Sequence, residues 1–128
     1  MADGERRVIM TNNPLVARRL SRQYEVDYVP QSYLLLLERI RDMARQGAKI
    51  LAHPLADSLR PGIVPYCSLL VTMPDSATQP DENSVRLIES AIGMTRTVPP
   101  QTDLAVLASL GELQQRDLLL LEKTLLAG

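Results

Sequence analysis

The chain has one cysteine, Cys67, one histidine, His53, no tryptophan and no phenylalanine; its only aromatics are four tyrosines. A single thiol excludes an internal disulfide framework and suits a reducing compartment. With one histidine and one cysteine there is no clustered ligand set, no HExxH and no CxxC, so no metal site is expected. Without Phe or Trp there is little for bases to stack on, and a formal net charge of -1 supplies no global field for nucleic acid or acidic membrane. Apolar runs such as Leu34–Leu37 and Leu118–Leu121 are far too short to span a bilayer. The first residues are polar and charged, unlike a signal peptide. These absences point to a cytoplasmic protein that contacts neither membrane nor nucleic acid. No GxGxxG and no GxxxxGK[ST] occurs, which disfavours dinucleotide and P-loop sites, and no cofactor is expected.

What remains is an ordinary globular composition. The 128 residues are 45% hydrophobic and 23% charged, enough for one domain with an aliphatic core. Five arginines cluster near the start (Arg6, Arg7, Arg18, Arg19, Arg22) and read mainly as solvated faces.

Residues 7–11 form a short apolar run that predicts a buried strand, broken by Asn12-Asn13-Pro14. Asn13 is placed to cap a helix that Pro14 opens, because proline lacks only an N–H that would be unpaired there. Residues 24–29 alternate, with Tyr24, Val26 and Tyr28 on one side and Glu25 and Asp27 on the other, the pattern of an edge strand. Ser32 to Gly47 reads as a long amphipathic helix with Gly47 at its left-handed terminus. Residues 48–52 and 66–72 read as a third and a fourth strand. A helix capped by Asn83 or Ser84 follows, and Pro99-Pro100 ends that unit. The leucine-rich segment from Thr102 is helical, and Ser109 with Glu112 forms a capping box that could split it in two.

Strands alternating with helices imply an α/β fold: a small flavodoxin-like or Rossmann-like three-layer sandwich with a mostly parallel four-stranded sheet, order 2-1-3-4. The expected organisation is an α/β domain over 1–100 and a helical tail over 101–128, packed on that domain or on a partner. The segment before the fourth strand is short for a crossover, so an antiparallel fourth strand stays open as an alternative.

In such sheets ligands bind beyond the carboxyl ends of the strands. Two loops would meet there, 11–14 and 53–60. Thr11, Asn12 and Asn13 offer hydrogen-bonding groups beside a helix start, which suits an anion. The competing role for the two asparagines is to make the turn and cap the helix. His53 is the candidate general acid or base. Ser58 and Arg60 are candidate ligand contacts, Arg60 as the partner of an anionic group. Ser58 as a nucleophile with His53 and Asp57 would be a triad on paper only, since such spacing on one loop rarely gives the geometry and no GxSxG elbow is present. Cys67 reads as a small buried hydrophobe.

The segments Thr11-Asn12-Asn13-Pro14-Leu15-Val16, Gly47 to Leu55 ending in His53-Pro54-Leu55, Ser58-Leu59-Arg60-Pro61 and Pro65-Tyr66-Cys67-Ser68 resemble the GrdX family. The helix with Leu87-Ile88-Glu89-Ser90-Ala91-Ile92 fits as well. The resemblance covers roughly residues 7–97. Ala56-Asp57 replaces the usual Ser-Gly, and Cys67 stands where Lys is common. The resemblance implies a bacterial accessory protein encoded beside components of glycine, sarcosine and betaine reductase, of unestablished activity. Three readings follow: a module binding a small anionic metabolite, an enzyme using His53, or an interaction module whose C-terminal helix meets a reductase component or a second copy in a homodimer.

Overall fold

A computed structural model describes residues 5–30, 33–51, 66–74, 76–97 and 110–127. The elements run β1 (Glu5–Thr11), α1 (Pro14–Leu20), β2 (Glu25–Tyr28), α2 (Tyr33–Arg45), β3 (Lys49–Ile50), β4 (Ser68–Pro74), α3 (Glu82–Thr97) and α4 (Leu110–Ala127). Among the described residues, no helix is long and apolar enough to cross a membrane.

The sheet order is β2-β1-β4-β3. β1 pairs with β2 in parallel, whereas β4 is antiparallel to both β1 and β3. The sheet is therefore mixed, which corrects the expected mostly parallel sheet and the order 2-1-3-4. The reason lies in strand pairing. β4 takes the central position, with seven register pairs to β1 against two to β3, so the longer ladder sets its direction. The long register from Glu5↔Pro74 to Thr11↔Ser68 makes this pair the spine of the fold.

Strand alternation divides the core between two faces. Val8 and Met10 of β1 join Leu69 and Val71 of β4 under Leu36, Leu37 and Ile40 of α2 and Ile88, Ala91 and Ile92 of α3. Ile9 and Leu70 face the other way, under Leu15, Val16 and Leu20 of α1 and Leu118 and Leu121 of α4. Helices thus cover both faces of the sheet. β2 lies at the edge, as its alternation predicts. Asp27, on the side away from Val26, is held at 2.9 Å by Arg39 of α2, and Glu25 meets Arg6 of β1.

Two helix ends show how local chemistry fixes the chain. Gly47 ends α2 with φ +108°, a conformation L side chains rarely adopt. The Gln46 carbonyl then accepts from the Thr78 N–H, and the Ala44 carbonyl from the Asp81 N–H. Asp81, rather than Asn83 or Ser84, caps α3, its carboxylate accepting from the Ser84 N–H at 3.2 Å. Ser84 is engaged elsewhere, its hydroxyl accepting from the Ile50 N–H at 2.9 Å.

Candidate functional site

β1 ends at Thr11 directly opposite Ser68, the first residue of β4. Antiparallel pairing therefore brings Tyr66-Cys67-Ser68 to the edge where the Thr11-Asn12-Asn13 turn sits. The Asn12 side-chain carbonyl accepts from the Cys67 N–H at 2.9 Å, and the Asn12 N–H reaches the Cys67 carbonyl at 3.3 Å. Cys67 itself is fully buried. The Thr11 carbonyl accepts from the Val29 N–H at 2.8 Å, which ties in the chain leaving β2.

Asn13 is the N-cap of α1, its Oδ1 accepting from the Leu15 N–H at 2.9 Å. Its amide Nδ2 donates to the Gln114 carbonyl and to Asp117 Oδ2, both at 2.9 Å. The turn is thereby joined to the middle of α4, across 104 positions of sequence. Ser68 Oγ donates to the same Asp117 oxygen at 2.6 Å and lies 2.6 Å from Thr11 Oγ1, which accepts from the Asn13 N–H at 2.9 Å. An ionised carboxylate can only accept, so Ser68 must donate to it, and Thr11 must then donate to Ser68. Proton donation runs in one direction: Asn13 N–H, Thr11, Ser68, Asp117.

Asp117 is 4% exposed, and no ion pair among the described residues involves it. Burial pushes its carboxyl above the ordinary value of 3.8. The Ser68 hydroxyl, the Asn13 amide and the Ser68 backbone N–H pull the other way without overcoming it. Toward the rim, Gln114 Nε2 donates to the Tyr66 hydroxyl at 2.9 Å, with both residues half-buried.

The expected site residues thus divide. Thr11, Asn12 and Asn13 converge on one buried network, with their side chains engaged inside the protein. His53, Ser58 and Arg60 lie outside the described residues. The described chain stops at Leu51, whose N–H bonds the Leu70 carbonyl at 2.8 Å, and resumes at Tyr66, so both ends of that segment are at this edge of the sheet. Among the described residues, no three His, Cys, Asp or Glu side chains gather to hold a metal ion. Sequence reasoning missed Ser68, Gln114 and Asp117. Asp117 did carry a signal: it falls on the stripe of Leu110, Leu118, Leu121 and Leu125, where a lone carboxylate is out of place.

The family model described as GrdX-like protein matches residues 8–126. The chain belongs to the GrdX-like protein family. The match reaches well beyond the 7–97 span expected from the motifs and takes in the leucine-rich C-terminal helix. The GrdX-like region therefore includes Asp117 together with the Thr11-Asn12-Asn13 turn that it anchors. No curated protein and no solved structure matches the chain.

Proposed function

We propose that this GrdX-like protein is an accessory module of glycine, sarcosine and betaine reductase metabolism that binds a small anionic metabolite at the carboxyl edge of β1 and β3. The observation that carries the reading is the convergence at that edge. The Thr11-Asn12-Asn13 turn, the entry to β4 and both ends of segment 52–65 meet there. In this reading the turn is the rigid floor, because its side chains are already engaged. The direct contacts come from Arg60, Ser58 and His53, with the Tyr66 hydroxyl at the rim. Arginine suits a carboxylate or phosphate through its planar fork. If the bound molecule is turned over, His53 is the general acid or base.

The test is a thermal-shift and calorimetric screen against small carboxylates, amino acids and phosphates. A ligand of the native state raises the melting temperature by mass action, about 2.7 kcal/mol of added stability at a hundredfold excess over Kd. The expected result is a hit that Arg60→Ala abolishes and that His53→Ala weakens. Absence of a shift from every class would remove the binding reading. The interaction reading would then take its place, supported by the exposure of Leu119 and of Leu126, the latter 89% accessible, on α4.

A further inference from the structure

We propose that α4 is a proton-sensitive strap: taking up a proton at Asp117 tightens its seat on the sheet, and losing that proton loosens it. The inference concerns α4 and the network beneath it, and does not depend on the ligand reading.

The geometry has three parts. First, α4 lies on α1 and β4 through Leu118 and Leu121, with Leu125 partly covered. Leu119 and Leu126 remain exposed, so the apolar seat is narrow. Second, a buried carboxylate stands in the middle of that seat. Hydrogen bonds satisfy it, and among the described residues no cation pairs with it. The described elements packed around it offer no countercharge. β4 (Ser68–Pro74) has no ionisable side chain. The cations of β1, Arg6 and Arg7, are exposed and lie at the far end of the strand from Thr11. The cations of α1, Arg18 and Arg19, are exposed in its last turn, away from Asn13. On α4 itself Glu112, Arg116 and Lys123 are exposed and Glu122 is half-buried. The Tyr66 hydroxyl is occupied by Gln114. Third, the Ser68 hydroxyl can serve either form: it donates to an ionised Asp117 and accepts from a protonated one.

The sign follows from linkage. The seated carboxyl holds its proton more tightly than the same group in water, because burial disfavours its charged form. The associated stability is fully present below the ordinary value of 3.8 and is lost as pH rises through the raised value. Above that raised value the strap is at its loosest, and its lifting uncovers Ile9, Val16 and Leu70.

Native-state hydrogen exchange of the full chain from about pH 8 to about pH 4.5, corrected for intrinsic rates, tests this. Protection of the α4 amides should rise on acidification relative to α2, which lies on the opposite face. Asp117→Asn removes the titrating group and should flatten that relative profile. Ser68→Ala deletes a donor to the ionised form and should move the transition to higher pH. The proposal falls if α4 and α2 share one pH profile in the wild type, or if the transition stays in place in Ser68→Ala.

Discussion

Both amide hydrogens of Asn13 and its carbonyl oxygen are used, and one side chain therefore does two jobs. It caps α1 and hands α4 a neutral donor. The cap is legible in the sequence, because Asn before Pro at the start of an apolar-periodic run has few other uses. The second job is not legible, because nothing local ties position 13 to position 117. The substitution Asn13→Asp separates the two. Aspartate caps a helix as well as asparagine does. It also sets a second carboxylate against Asp117 in a buried site, where like charges disfavour ionisation. The expected result is a loss of about 2–4 kcal/mol at neutral pH, largely recovered on acidification as the pair takes up a proton. Denaturant melts at several pH values measure it. A pH-independent loss would mean that the cap, not the charge pair, had been damaged.

At the scale of elements, Gly47 shows how a helix end can be fixed by a distant loop. The left-handed turn is predictable from a glycine after an amphipathic run. The neighbour is not, because a Cβ at that position would collide with Thr78 Oγ1 and press on Pro74. Gly47→Ala therefore carries both backbone strain and a clash, and about 2 kcal/mol or more of destabilisation is expected. Adding Thr78→Ala should return part of that loss, and a double-mutant cycle of thermal melts reads the coupling. Zero coupling would assign the whole cost to the backbone. The direction of β4 belongs to the same scale. Its apolar run Leu69-Leu70-Val71 announces a buried strand on either side of the sheet or in either direction. Chain length between β3 and β4 left the antiparallel choice open, and only pairing with β1 settled it.

Over the whole molecule, stability should follow the sheet order. β1 and β4 are paired along their full length and covered on both faces, whereas β2 is an edge strand and β3 has two residues. The slowest-exchanging amides are expected in β1 and β4, with β2 and β3 opening first. Equal protection across all four strands would contradict a fold built around that central pair. The charge distribution adds no comparable constraint. The ion pairs of Arg6, Arg39, Arg45 and Arg96 are solvent-exposed and contribute little each.

Composition, periodicity and punctuation determined the class of this protein, its aliphatic core, most of its helix boundaries and the polar turn at the end of β1, because those features depend on residues close in sequence. The family motifs pointed to that turn and to the His53 segment. The tertiary structure decided the rest: the insertion of β4 between β1 and β3, the delivery of Ser68 to Thr11, and the burial of Asp117 against both. Those are contacts across 57 and 104 positions. They arise only when two strands and a remote helix close on one edge of the sheet, and no local pattern of residues encodes such a meeting.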